Sequence, residues 1–119
     1  MDIEQEARLR DILEAVRRIE SYVAAVSEEE FSQNGEKQDA VIRRIEIIGE
    51  ATAHLSAETR DVLSELPYRK MRGMRNIVAH DYANVDIAIV WEVATVHLKQ
   101  VREVLERYFS NHPADTSDL

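Results

Sequence analysis

Apolar residues recur at steps of three and four over most of the chain, which is the periodicity of amphipathic helices. The clearest series begins after Asp86 and predicts a long last helix that ends near Phe109. Its members are Ile87, Trp91, Ala94, Leu98, Val101, Leu105 and Tyr108. Such a seam is typical of helices that pack in an antiparallel bundle.

Two more long helices are predicted earlier in the chain. The first covers residues 3–26 and has apolar positions at Ile12, Val16, Ile19, Val23 and Val26. The second covers residues 36–55 and has them at Val41, Ile45, Ile48 and Leu55. Between the two, Ser27 and Glu30 form a capping-box pattern that predicts a short helical turn. Asn34-Gly35 is a turn signal.

Shorter elements are predicted between the second helix and the last. Ser56 can cap a short helix that ends near Leu63. Pro67 is suited to the first turn of a helix over residues 67–80, and Asp86 or Asn84 can cap the last helix. No segment has a convincing strand pattern. The predicted fold class is therefore all-α, an antiparallel bundle of three long helices with a shorter helix and short helical connectors.

The length of 119 residues suits one domain, expected over residues 1–110, with a polar tail at 111–119. The absence of cysteine excludes a disulfide framework and a thiolate zinc site. The first residues are acidic and unlike a secretory signal, and no apolar run approaches the ~18 residues that span a bilayer. A cytoplasmic location is expected.

The formal net charge of −8 argues against nonspecific nucleic-acid binding, which depends on neutralising phosphates with Lys and Arg. The charge is uneven, however, because residues 69–75 contain four cations and no anion. These cations are Arg69, Lys70, Arg72 and Arg75. Such a patch can bind a limited piece of RNA. The alternative is a solvated helix face, which is what most charge runs are.

On an ideal helix over residues 69–82, the apolar and polar side chains separate into two faces. The core face holds Met71, Met74, Ile77 and Val78. The opposite face holds Arg69, Arg72, Asn76 and His80. Arg75 and Tyr82 fall on the boundary between the two faces. Gly73 lowers helix stability and is a position where a partner backbone or RNA can approach closely.

Arg75 and His80 bring two chemical functions to this segment. Arginine remains a cation and suits phosphate, whereas histidine is the side chain most easily tuned to transfer protons near neutral pH. Asn76 is suited either to orienting the imidazole or binding a phosphate oxygen, or to a local cap. Tyr82 is suited to stacking on a base, to bonding phosphate, or to an ordinary half-buried position.

The pattern R-N-x-x-x-H-x-Y in Gly73-Met74-Arg75-Asn76 … His80-Asp81-Tyr82 resembles the motif of the HepT-type HEPN ribonuclease toxins. The resemblance covers roughly residues 5–110. Three further blocks match that family in the same order. They are Ala40-Val41 with Arg43-Arg44-Ile45-Glu46 and Ile48-Gly49-Glu50-Ala51, then Leu66-Pro67-Tyr68, then Val85-Asp86 … Val90-Trp91.

This resemblance implies a HEPN-type helical bundle that forms a homodimer with a composite site across its interface. It implies metal-independent RNA cleavage, in which the ribose 2′-hydroxyl attacks the neighbouring phosphorus. Arg75 and His80 are then the catalytic residues, supported by Asn76, and the neighbouring cations Arg69, Lys70 and Arg72 bind RNA. No cofactor and no metal site are predicted.

The resemblance also implies a partner, a nucleotidyltransferase antitoxin in a toxin-antitoxin system of type II or VII. That enzyme would silence the toxin by adding AMP to Tyr82. The competing hypothesis is a non-catalytic helical adaptor that binds a nucleotide or a nucleotidyltransferase without cleaving RNA, since the fold does not settle function.

The remaining candidate side chains favour ordinary structural roles. His54, His97 and His112 lack ligand spacing and are interpreted as a surface residue, a packing residue and a tail residue. Glu46 and Glu50 could hold a metal ion as paired carboxylates, but local ion pairing is the favoured interpretation.

Overall fold

The computed structural model describes residues 1–78 and 85–113, with the backbone alone at 77 and 78, and this part of the chain has helices but no strand. The all-α prediction is therefore confirmed. The elements are α1 (Ile3–Val23), α2 (Glu28–Ser32), α3 (Gly35–Ala53), α4 (Ala57–Val62), α5 (Tyr68–Val78), α6 (Ile87–Glu92), a π-helical segment (Val93–His97) and α7 (Leu98–Asn111).

Side-chain caps begin several of these helices. Ser27 accepts a hydrogen bond from the Glu30 N–H at 3.1 Å, and Ser56 accepts one from the Thr59 N–H at 3.1 Å. Asp86, rather than the alternative Asn84, caps α6. The chain turns between α2 and α3 at residues 33 and 34, as the Asn34-Gly35 signal predicts, and Asn34 then caps α3, so Gly35 is already helical and α3 begins one residue earlier than predicted.

The last helix was predicted as one regular helix, but in the structure it contains a π-helical segment. The π-helical segment joins α6 to α7, and the Leu98 N–H donates to the Val93 carbonyl five residues earlier. Val90 and Val93 are buried although they lie outside the predicted seam. Trp91 is only partly buried, and its ring packs against Phe31 in a tilted arrangement with ring centroids 5.2 Å apart. Because a single π-helical turn adds only about one residue to an α-helix, it leaves no clear mark in an apolar pattern of three- and four-residue steps.

The core forms where α3 packs against both α1 and α5, while α7 covers α1 from another side. Each of these helices contributes fully or almost fully buried side chains, and α1 supplies four that are 0 % exposed. The core residues of the four helices include Leu9, Ile12, Val16, Ile19, Ile45, Ile48, Met71, Met74, Leu98, Val101 and Leu105. Helix α5 is thus tied to the core through its contact with α3.

The start of α5 is fixed by Tyr68. Its hydroxyl donates a hydrogen bond to the Leu63 carbonyl at 2.6 Å, which ties α5 to the end of α4. The Pro67 carbonyl accepts from the Met71 N–H at 3.0 Å, so Pro67 precedes the helix instead of occupying its first turn. The helix therefore begins one residue later than predicted, and residues 79 and 80 of the predicted helix lie outside the described residues.

The middle of α5 is fixed by a close approach to Gly49 of α3. A Cβ atom at Gly49 would lie 2.5 Å from the Arg75 Cγ and 2.9 Å from the Arg75 backbone nitrogen. Real Cβ atoms essentially never come this near, so any side chain at Gly49 would push α3 and α5 apart. Gly73, on α5 itself, has nothing within 4 Å of such an atom.

These two glycines predict opposite effects of the same substitution. Gly49→Ala should lower the free energy of unfolding by about 1–3 kcal/mol, because the added methyl group overpacks the contact between α3 and α5. Gly73→Ala is the matched control and should raise the free energy of unfolding by up to about 1 kcal/mol, because alanine is the better helix former and meets no obstacle. Urea unfolding of both variants checks this, and equal effects of one sign would contradict it.

Tyr68 predicts a pH dependence of stability. Burial raises the pKa of its phenol from the ordinary 10 to about 12. The folded state therefore keeps a proton that the unfolded state loses, so the contribution is complete below pH 10 and is lost as the pH rises to about 12. Tyr68→Phe should be less stable than wild type by about 1 kcal/mol below this range. Urea unfolding at several pH values should show the difference narrowing, and a constant difference would refute the assignment.

Candidate functional site

Helix α5 divides into a buried face and a cationic face, as its sequence predicts. Met71 is 0 % exposed and Met74 is 2 % exposed, which confirms that these two methionines belong to the core. Arg69, Lys70, Arg72, Arg75 and Asn76 are all exposed. The side chains of Ile77 and Val78, and both His80 and Tyr82, lie outside the described residues.

The four cations of α5 differ from most other arginines of the chain in their surroundings. None of the four forms an ion pair with a residue in the described ranges 1–78 and 85–113. Seven arginines elsewhere each have a glutamate partner: Arg8, Arg10, Arg17, Arg18, Arg43, Arg102 and Arg107. Within the described part of the chain, helix α5 is therefore a surface of uncompensated positive charge on an acidic protein.

Arg75 lies at the edge between the two faces of α5. Its backbone and the Cγ of its side chain are the atoms that face Gly49, whereas the residue as a whole is exposed. The base of this side chain is thus held against α3 while its charged end can reach solvent. This contact was not expected from the sequence, because a glycine inside a predicted helix does not by itself show what packs against it.

Gly73 leaves open space on the same helix. Nothing lies within 4 Å of the position that its Cβ would occupy, so this glycine is not required for packing among the described residues. The surface beside it carries Arg69, Arg72 and Asn76, which are exposed. The expected close approach of RNA or of a partner at Gly73 stays a prediction, for which the surface has room.

The other histidines have structural surroundings. His54 is exposed at the end of α3, as expected, and its carbonyl accepts a hydrogen bond from Gln5 at 3.2 Å. The Nε2 atom of His97 lies 3.5 Å from a carboxylate oxygen of Glu92. His112 stacks on the Tyr108 ring with centroids 4.4 Å apart.

The paired carboxylates of α3 do not form a metal site with their described neighbours. Glu46 lies 3.2 Å from Arg43, which confirms the local ion pair expected for it, and Glu50 is exposed. Among the residues that the structure describes, no group of three or more His, Asp or Glu side chains could hold a metal ion. Over the same residues, every helix is too short or too polar to cross a lipid bilayer.

Several proteins that are named as ribonucleases are similar to this chain over most of its length. A probable ribonuclease HepT of Thermococcus cleftensis is 32% identical, over 83% of this chain and 90% of its own length. A candidate RNase of Caldanaerobacter subterraneus subsp. tengcongensis is 33% identical, over 83% of this chain and 92% of its own length.

One similar protein is longer than this chain and is named for two activities. A Methanocaldococcus jannaschii protein, named a gamma-glutamylcyclotransferase and candidate RNase, is 39% identical over 80% of this chain. The match spans only 43% of that protein's length. No solved structure matches the chain significantly.

The family comparison agrees with these relatives and with the helical fold. The ribonuclease HepT-like family matches residues 12–108, a range that includes α3, α5 and the whole R-N-x-x-x-H-x-Y segment. The predicted enzyme class, a ribonuclease, is the class that gives this family its name. The chain belongs to the ribonuclease HepT-like family.

Proposed function

We propose that this protein is the toxin of a toxin-antitoxin pair and acts in the cytoplasm as a metal-independent endoribonuclease. The observation that carries the proposal is the set of four α5 cations without an acidic partner among the described residues, one of which is the motif residue Arg75. A polyanion gains most from cations that have no acidic partner to displace. Arg69, Lys70 and Arg72 bind the RNA backbone, and Arg75 together with His80 acts at the scissile phosphate.

The R-N-x-x-x-H-x-Y segment supplies two kinds of group that the reaction needs, an imidazole for proton transfer and a fixed cation. The ribose 2′-oxygen loses its proton and bonds to the adjacent phosphorus, the bond from phosphorus to the 5′-oxygen breaks, and that oxygen takes up a proton. The products are a 2′,3′-cyclic phosphate and a 5′-hydroxyl. His80 is suited to one of the two proton transfers near neutral pH. Arg75 keeps its charge and stabilises the negative phosphorane oxygens.

The active form is a homodimer with a composite site. On an ideal helix Arg75 and His80 point about 140° apart, so one copy of α5 holds a phosphate poorly between them. A two-fold axis would bring two arginines and two histidines around one cleft, and two-fold dimers are the commonest oligomers. Asn76, one turn before His80, orients the imidazole or binds a phosphate oxygen. The catalytic unit is a single domain over residues 1–110.

A cognate nucleotidyltransferase antitoxin controls the activity through Tyr82. An AMP group on this tyrosine would add bulk and negative charge within seven residues of Arg75. That charge would compete with RNA for the α5 cations and would block the site. The second candidate, a non-catalytic adaptor of such an enzyme, uses the same cationic surface but leaves RNA intact.

Cleavage by His80 and Arg75 is tested with purified protein and total RNA in the presence of EDTA. Wild type, shown by mass to lack AMP on Tyr82, should produce ends with 2′,3′-cyclic phosphate. His80→Ala and Arg75→Ala should each reduce the rate by about 100-fold or more, because each removes a group needed in the transition state. His54→Ala, an exposed histidine remote in sequence, is the matched control and should cleave normally. Uncut RNA with unmodified wild type would favour the adaptor.

RNA binding by the α5 surface is tested separately from cleavage. In the His80→Ala background, changing Arg69, Lys70 and Arg72 to Ala should weaken binding of a single-stranded RNA. It should also reduce the slope of log affinity against log salt by about 0.7 for each phosphate that the variant no longer neutralises. The control removes three paired cations, Arg8, Arg18 and Arg43, which give the same change in net charge. Equal reductions in affinity for both triple variants, measured by fluorescence anisotropy, would mean that net charge alone governs binding.

A further inference from the structure

Two exposed aliphatic side chains lie on the solvent side of the last helical stretch, whereas Val90, Val93 and Leu98 are buried. Ile89 is 46% exposed and Val96 is 61% exposed. The other exposed large apolar residues in the described part of the chain lie elsewhere. Met1 precedes α1, Ile3 begins it, and Val62 ends α4. Single exposed apolar residues need no explanation, but two on the solvent side, about two turns apart, form a small apolar strip.

Charged residues extend this strip symmetrically. Counted in residues, Ile89 and Val96 lie equally far before and after the midpoint between Glu92 and Val93, and so do Asp86 and Lys99. Both Asp86 and Lys99 are exposed, and Lys99 forms no ion pair with any residue that the structure describes. The order along the helix is therefore acid, aliphatic, aliphatic, base.

We propose that this strip is the surface through which two copies of the chain associate about a two-fold axis. An antiparallel arrangement places Ile89 against Val96 of the partner subunit and Asp86 beside Lys99 of the partner subunit. Each contact then occurs twice, as an isologous interface requires. The inference rests on the dimer of the proposed function and names the face that forms it.

The strip fits a second copy of itself because the order of its residues is complementary when one copy is reversed. Reversing the helix direction pairs aliphatic with aliphatic and acid with base. Opposite charges at both ends favour this register over others. An α-helix rises about 1.5 Å per residue and the π-helical segment rises less, so Ile89 and Val96 are at most about 10 Å apart along the axis, and Asp86 and Lys99 about 20 Å. Two helices packed at the usual separation of about 8–10 Å can make all four contacts together.

Glu92 is the charged residue nearest the proposed axis, where two copies would approach each other. Its carboxylate has a partner within its own helix, since an Oε1 atom lies 3.5 Å from the Nε2 atom of His97. The side chain of Glu92 is 59% exposed, so it keeps much of its contact with water. The two copies of Glu92 therefore weaken the antiparallel contact less than two unpaired, desolvated carboxylates would.

Sedimentation equilibrium of the full chain tests the proposed face. Val96→Glu should weaken self-association about tenfold or more, because it buries a carboxylate opposite Ile89 of the partner subunit. Val62→Glu is the matched control, since Val62 is equally exposed at 61% but lies on α4, and it should associate as wild type does. Circular dichroism establishes that both variants are folded. Normal association of a folded Val96→Glu variant would overturn the proposed face.

A charge reversal with rescue tests the register. Lys99→Glu places two carboxylates together at each end of the strip and should weaken association. Adding Asp86→Ser to that variant removes one carboxylate from each end, while serine can still cap α6. The double variant should therefore recover part of the affinity. Further weakening in the double variant, instead of recovery, would overturn the antiparallel register.

The dimer face and the proposed chemistry fail in different ways. A monomeric wild type at all concentrations would overturn both this face and the composite site. A wild-type dimer that Val96→Glu disrupts, but that leaves RNA uncut, would support the face and overturn the ribonuclease proposal. RNA cleavage by a dimer that Val96→Glu leaves intact would support the ribonuclease and overturn the face.

Discussion

The contact between Gly49 of α3 and Arg75 of α5 is the constraint on which the arrangement of the α5 surface depends. Two helices can come this close only where one of them lacks a side chain, and α3 meets this condition at Gly49. Met71 and Met74 then set the rotation of α5 by burying their side chains on the core side. With its distance and rotation fixed, α5 must present Arg69, Arg72 and Asn76 to solvent.

Ion pairs distribute charge over the surface more than they stabilise the fold. Most of them join exposed or half-exposed side chains, and such pairs usually contribute less than about 1 kcal/mol each. Their larger effect is to neutralise seven arginines outside α5. Among the described residues, α5 is the helix with the most cations that lack an acidic partner, although the whole chain has a net charge of −8.

Local signals predicted most of the fold, because helix periodicity and caps depend on residues close in sequence. Ser27, Ser56 and Asp86 form the expected caps, and the burial of Met71 and Met74 follows from their spacing. The π-helical segment was missed because its wider turn carries no distinct apolar pattern. The lack of acidic partners for the α5 cations among the described residues was also beyond the sequence, since it depends on which distant side chains pack nearby. His80 and Tyr82 remain predictions from the R-N-x-x-x-H-x-Y segment and the family resemblance.

Helix α5 carries four cations and no acidic residue, whereas the chain as a whole has an excess of acidic residues, so its charge is unevenly distributed. A polyanion that diffuses toward most of the surface is repelled, and one that approaches α5 is attracted. Such a field selects the orientation of an encounter before any contact forms, and it raises the association rate at low ionic strength. The excess acidic residues outside α5 thereby help to guide an approaching anion toward α5, although they do not touch it.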